Sequence, residues 1–308
     1  MPFYKNLVIL FASLFPILGF AQVESTIEEK SFAPTAEENS LLWEISGMDL
    51  DQPSYLFGTI HMINQEDFIL TEATKSAFEK CDKVVFEINM DEMTDMTAML
   101  PLLMKSFMEG GKTLRDLLSK EDYKLVDDHF KKLGMPLAFL ERVKPMFLTV
   151  FASEDMGEGA MDMQSGGMKS YEIELAEMAK TGEKEVGGLE TAAYQMSMFD
   201  SIPYDVQANM LVESIKSGSS GTDSFDQMVE MYKSQDLYGL QTMIAEEGGL
   251  MGYDELLLNQ RNRNWIQPMS TMMAVQPTFF AVGAGHLAGE SGVISLLRQK
   301  GYTVKPVK

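Results

Sequence analysis

The residue order predicts an α/β (α+β) fold: one sheet assembled from segments towards both ends of the chain, with a helical insertion in the middle. Two features carry this reading. Short apolar or alternating runs cluster before residue 90 and after residue 277, whereas most of the middle follows helical spacing. A length of 308 residues with 45% hydrophobic content supplies a sizeable core.

Residues 1–21 read as a secretory signal peptide. Lys5 forms a short positive region, an apolar run follows from Leu7 to Phe20, and Gly19 and Ala21 give small residues at a cleavage site. Gln22, not Cys, would follow the cut, so lipid anchoring is not indicated. Residues 22–40 are polar and aperiodic and read as a flexible arm, leaving 41–308 as a single domain. Leu41–Met62 reads as a hairpin with a polar turn at MDLDQP. Thr71–Lys80 is a short helix, and Lys83–Ile88 a strand with Val85 and Glu87 on one face.

Apolar residues at helical spacing continue through Asp91–Met108, which Pro101 opens or kinks. Ser119 caps a helix that runs to Leu133. Met156–Gly167 and Ser217–Thr222, both rich in glycine, read as loops. Tyr171–Lys180, Phe225–Glu247 and Asp254–Met273 read as helices, and Glu185–Glu190 as a short strand. After Pro277 come an apolar strand, a helix over Ser291–Lys300 stopped by Gly301, and a last strand, YTVKPV.

Composition narrows function. There are 25 basic and 46 acidic residues, for a net charge of −21, and no basic cluster, which argues against nucleic acid as a partner. A single cysteine excludes a disulfide scaffold and a thiolate zinc site; Cys81 reads as a small buried hydrophobe. The 26 methionines are spread among Leu and Phe at helical spacing, the pattern of adaptable packing rather than of a thioether copper site. Mean hydropathy is −0.08 and no stretch after the leader is long and apolar enough to span a bilayer, so no stable membrane insertion is expected after cleavage. The expected location is periplasmic or extracellular.

Chemistry concentrates at two of the three histidines. His129 lies in the charged stretch DDHFKK and reads as solvated. His61 and His286 each follow an apolar strand ending in Gly-x-x-His, with Gly58 and Gly283 as the motif glycines. Glycine at a strand end permits close approach by another element, and the histidine then projects beyond the sheet edge, where α/β sites lie. Glu87, inside an apolar strand, costs several kcal/mol if buried bare and so requires a cation, metal or hydrogen-bond partner. Glu190 ends a second glycine-bearing strand. Arg261 and Asn262, in QRNRNW, offer a fixed cation and an amide. Two imidazoles with one or two carboxylates suit a divalent metal with an open water position. The same set without metal supplies a base, an orienting acid and an arginine for developing negative charge. No His-Glu-x-x-His, Gly-x-Ser-x-Gly or P-loop motif is present.

The segments YLFGTIHM, DKVVFEI, GGLET, QRNRNW and FFAVGAGHLAGESGVISLLRQKGYTV together resemble the TraB/GumN family, related to Tiki proteases and remotely to erythromycin-esterase and ChaN-like folds. The resemblance covers about Leu41–Val307. It implies a mixed sheet wrapped by helices, with both Gly-x-x-His loops at one cleft. It also implies metalloprotease chemistry with Mn²⁺ or Co²⁺, matching His61, His286, Glu87 and Glu190 to the motif positions and Arg261 to the Arg-Asn element.

The resulting expectation is an exported hydrolase, peptidase-like and dependent on Mn, Co or Zn. His61, His286 and Glu87 or Glu190 would hold the ion, and the other acid would activate water. The alternatives are a metal-independent ester or lactone hydrolase with His61 as base, and a non-catalytic ligand-binding module on the same fold.

Overall fold

The computed structural model describes residues 31–90, 96–152, 167–246 and 252–308. The expected leader, the arm before residue 31 and most of the Met156–Gly167 stretch lie outside the described residues.

Among the described residues, eight strands follow the sequence: β1 Leu42–Ser46, β2 Ser54–Thr59, β3 Ile63–Asn64, β4 Lys83–Ile88, β5 Met168–Lys169, β6 Glu185–Glu190, β7 Thr278–Gly283 and β8 Thr303–Val307. Six form one mixed sheet in the order β6-β4-β7-β2-β1-β8, and β3 and β5 pair separately. The expected hairpin is present, with Leu42 opposite Phe57 and Ile45 opposite Ser54. Its turn passes through left-handed conformations at Gly47, Met48 and Asp49. β8 lies antiparallel on the outer side of β1, where Pro306 is tolerated because an edge strand need not donate on both sides.

The other four strands are parallel: β2 with β7, β7 with β4, and β4 with β6. β7 arrives late in the chain yet takes a central place. Its run Thr278–Val282 is buried throughout, the continuous apolar pattern of a strand covered on both faces. Val84, Val85 and Phe86 of β4 are buried for the same reason. The parallel register aligns Thr59 with Gly283 and Ile88 with Glu190, so four strands end along one edge of the sheet. That edge is where open α/β sheets bind ligands.

Eleven α-helices accompany the sheet among the described residues. The first five are α1 Glu72–Glu79, α2 Met96–Lys105, α3 Leu114–Leu117, α4 Lys120–Lys132 and α5 Pro145–Ala152. Then come α6 Tyr171–Thr181, α7 Ala192–Met198, α8 Tyr204–Lys233, α9 Leu237–Glu246, α10 Gln260–Met273 and α11 Val293–Lys300. Phe78, Leu175, Tyr232, Trp265 and Leu297 from these helices join Trp43, Leu56, Phe86 and Phe279 in the main core. A second core, built from Leu114, Val126, Phe130, Leu148 and Leu211, belongs to the helical insertion. Residues 31–40 are tied to the domain: Glu38 pairs with Arg298 at 2.7 Å and Asn39 donates to Asp236 at 2.7 Å.

Three local expectations change. Ser217–Thr222 is not a loop but lies inside α8, which runs unbroken to Lys233. Two glycines there cost roughly 1 kcal/mol each in a helix, and packing on both sides carries the helix through: Leu211 and Val212 before the stretch, Val229 and Tyr232 after it, are buried. The helix expected across Phe225–Glu247 instead breaks at Gln235, whose φ is +57°. His129 is buried, because it shares the inward stripe of α4 with Val126 and Phe130.

Candidate active site

At the sheet edge, Arg261 of α10 is the centre of a buried polar cluster. A single turn of π-helix, Glu255–Asn259, leads into α10, and the Leu257 carbonyl accepts from Arg261 Nη1 at 3.0 Å. Nε donates to Glu190 Oε1 at 2.8 Å, and Nη2 reaches both Glu190 Oε1 and Glu87 Oε2 at 2.5 Å. Nη1 lies 3.1 Å from His286 Nε2. The guanidinium also packs over the Trp265 ring, 4.9 Å from its centroid. One cation therefore joins the ends of β4 and β6 and the turn after β7. Burial pulls its pKa down, but Glu87 and Glu190 outweigh that and hold it above the ordinary arginine value.

Each acid has further partners. Glu87 Oε1 accepts the Gly283 N–H at 2.8 Å, and Oε2 accepts from Gln195 Nε2 at 3.0 Å. Glu190 Oε2 accepts from Trp265 Nε1 at 3.1 Å, and Gln195 also reaches its Oε1 at 3.1 Å. Burial drives Glu87 upward, but His286, Arg261 and His61, with the Gly283 amide, overcome it and hold the carboxyl at about 2. Glu87 is ionised at neutral pH.

His286 is fixed as one neutral tautomer. Asn262 donates through Nδ2 to the Ser291 carbonyl at 2.9 Å, which orients its Oδ1 towards His286 Nδ1 at 2.6 Å. Nδ1 therefore carries the proton, and Nε2 accepts from Arg261. Burial is the main force lowering its pKa to about 4, with Glu87 opposing and Arg261 and His61 assisting. The ring rests on Trp265, centroids 4.5 Å apart.

His61 sits differently. Its side chain is 74% exposed, and its Nδ1 lies 3.3 Å from Glu172 Oε1. The Glu172 carboxylate beside it holds its pKa up at about 9, against desolvation by the surrounding protein; the charge of Glu87 adds to the rise and Arg261 opposes it. At neutral pH the edge thus presents an exposed imidazolium beside a buried, neutral imidazole.

The two motif glycines have distinct reasons. A Cβ on Gly58 would lie 2.9 Å from Leu287 Cδ2 and 3.2 Å from Ala284 Cα, so its absence lets β2 approach the turn that carries His286. A Cβ on Gly283 would crowd Glu87 Oε1 at 3.3 Å, beside the amide bond that orients it.

The structure therefore brings Glu87, Glu190, Arg261 and His286 into direct contact, with His61 on the same edge but bonded to Glu172. Glu172, Gln195 and Trp265 were not singled out from the sequence. An acid in the first turn of a helix is a general capping signal, and neither a glutamine nor a tryptophan on an amphipathic helix stands out from its neighbours. As arranged, the donors do not fit a divalent ion. Both acids are engaged by a guanidinium, both His286 nitrogens have partners, and among the described residues no three His, Cys, Asp or Glu side chains are placed to hold a metal.

Residues 41–306 match the TraB/PrgY/gumN family. The chain belongs to that family. This TraB/PrgY/gumN chain is 25% identical to metalloprotease TIKI1 of Danio rerio, over 88% of its own length and 64% of the relative's. It is 25% identical to metalloprotease TIKI2 of Danio rerio, over 92% and 64%, and 25% identical to metalloprotease TIKI1 of Homo sapiens, over 88% and 62%. The chain thus spans less than two thirds of the length of these relatives. No solved structure matches it. Among the described residues no helix is long and apolar enough to cross a membrane.

Proposed function

We propose that this chain is an exported, peptidase-like hydrolase whose reaction takes place where β2, β4, β6 and β7 end. The observation that carries the reading is the parallel register of β2 and β7, which brings two Gly-x-x-His turns to one edge beside ionised Glu87. The relatives, metalloproteases at about 25% identity, support the hydrolase class. In this reading His61, exposed and protonated, donates through Nε2 to the carbonyl oxygen or leaving amine of a bound amide. Glu87 orients the attacking water and takes its proton as the C–O bond forms, while the proton from His61 goes to the amine as the C–N bond breaks, and exchange with solvent resets both groups. Arg261, the Gly283 amide and Gln195 hold Glu87 in place, and Arg261 balances its charge within the low-dielectric edge.

A second reading, favoured by the word metalloprotease in the relatives' names, adds a divalent ion. It requires Arg261 to release at least one acid. A peptide library incubated with the purified chain and read by mass spectrometry tests the proposal, with His61→Ala and Glu87→Gln as controls. Cleavage that both substitutions abolish supports it; equal cleavage by all three proteins removes it. Calorimetric titration with Mn²⁺, Co²⁺ and Zn²⁺ separates the two readings, because only the second gives saturable binding that Glu87→Gln weakens.

A further inference from the structure

Glu172 is a half-buried acid outside the arginine cluster that the reaction just described does not use. Its side chain is 17% exposed and it opens α6, in the first turn after the Ser170 cap. Two hydroxyl donors and the His61 imidazole, from three places, converge on it. Thr59 Oγ1, from the last residue of β2, donates to Oε1 at 2.8 Å. Ser170 Oγ donates to Oε2 at 2.9 Å. His61 Nδ1 is 3.3 Å from Oε1.

The placement is more than a surface ion pair needs. Thr59 is 2% exposed and stands in the parallel ladder opposite Gly283, so the strand that ends in the His61 motif also fixes the carboxylate to which His61 turns. The Ser170 hydroxyl holds the other oxygen, which prevents rotation of the carboxylate plane. An acid in the first helical turn is additionally favoured by the helix dipole. His61, with a largely solvent-exposed ring, has no other protein partner at either nitrogen among the described contacts. Without Glu172 the ring is free to change rotamer and to present either nitrogen.

We propose that Glu172 is the positioning residue for His61, holding the Nδ1 side of the ring against its carboxylate and so turning Nε2 towards substrate. This rests on the reading that His61 meets substrate. It makes a separate claim, that an acid on α6 sets the geometry of a histidine on the β2 turn. The arrangement matches the general requirement that a working imidazole be oriented by a group on its far nitrogen.

The test uses the full chain and two readouts. Long-range ¹H–¹⁵N spectra, with three histidines to resolve, report the His61 ring directly; His61→Ala identifies its signals. In Glu172→Gln the Nδ1 and Nε2 signals of the His61 ring move, while the His286 ring, held by Asn262, keeps its signals. Thr59→Val, which removes the bond to Oε1 but no charge, produces a smaller change in the same direction. Peptide cleavage gives the second readout: kcat falls roughly 10-fold or more with KM little changed, and Glu172→Asp recovers part of the loss. Unchanged His61 ring signals in a folded Glu172→Gln protein overturn the proposal, whatever the activity. Absence of hydrolysis by the unsubstituted protein removes the hydrolase reading alone, since the spectra still decide the role of Glu172.

Discussion

Replacing Arg261 by methionine is the sharpest perturbation of the site. Methionine approximates the length of the side chain and keeps contact with Trp265, but it removes the cation shared by Glu87 and Glu190 and the donor to His286 Nε2. The side chains of all three charged groups are at most 13% exposed, so water does not take over the role of the guanidinium. Removing one partner from a buried ion pair costs about 3–5 kcal/mol. For a chain of this size that corresponds to a fall in Tm of roughly 6–15 °C at pH 7. The loss shrinks on acidification, because a buried carboxylate deprived of its cation takes up a proton more readily. Thermal unfolding of both proteins at pH 7 and pH 5, followed by circular dichroism, measures the difference. Arg261→Lys, which retains charge but not the planar fork, falls between the two. A Tm within 2 °C of the parent, or a loss that does not depend on pH, refutes the view that Arg261 holds the edge together.

Acid sensitivity follows from the two shifted groups. His286, at about 4 when folded against 6.5 unfolded, resists a proton that the unfolded chain accepts, so stability falls as pH drops from about 6.5 to 4, by about 3 kcal/mol. Glu87, depressed from 4.5 to about 2, contributes stability that is present above pH 4.5 and lost as pH falls through 2. Urea titrations between pH 7 and pH 3 test this, and His286→Gln flattens the upper part of the curve. Gly58→Ala forces a methyl against Leu287 and the Ala284 backbone, costing about 1–3 kcal/mol; the shift in urea midpoint gives the value. Asn262→Ala frees the His286 tautomer, and ¹⁵N spectra of that ring show Nδ1 no longer uniformly protonated.

The hairpin, the strands and the alternation that sets Glu87 beside an interior partner were legible because each is a local pattern. The pairing of His61 and His286 motifs was legible as a repeated strand–Gly-x-x-His context. What joins them was not. Nothing local in TFFAVG tells that β7 slips between β4 and β2, since a buried strand reads alike at any central place in a sheet. His61 was expected to share a site directly with Glu87 or Glu190, yet a long-range partner, Glu172, meets its Nδ1. Arg261 was read as a cation for a reacting group, whereas its contacts show that it first neutralises the two acids. The Ser217–Thr222 glycines read as a break because propensity is local, and the packing that overrides it at Leu211 and Tyr232 is tertiary.

Because the segment that supplies β7 leaves the ribosome long after its neighbours β2 and β4, the sheet has a gap at its middle until residue 283 is available. Until then Glu87 lacks both the Gly283 amide and the nearby His286 ring, and the edge has no finished chemistry. Synthesis from the N-terminus therefore delays closure of the sheet until β7 follows β2 and β4, and the wide sequence separation of the closing contacts makes that step slow. A nascent chain of this topology holds Glu87 without these partners until β7 enters between its neighbours.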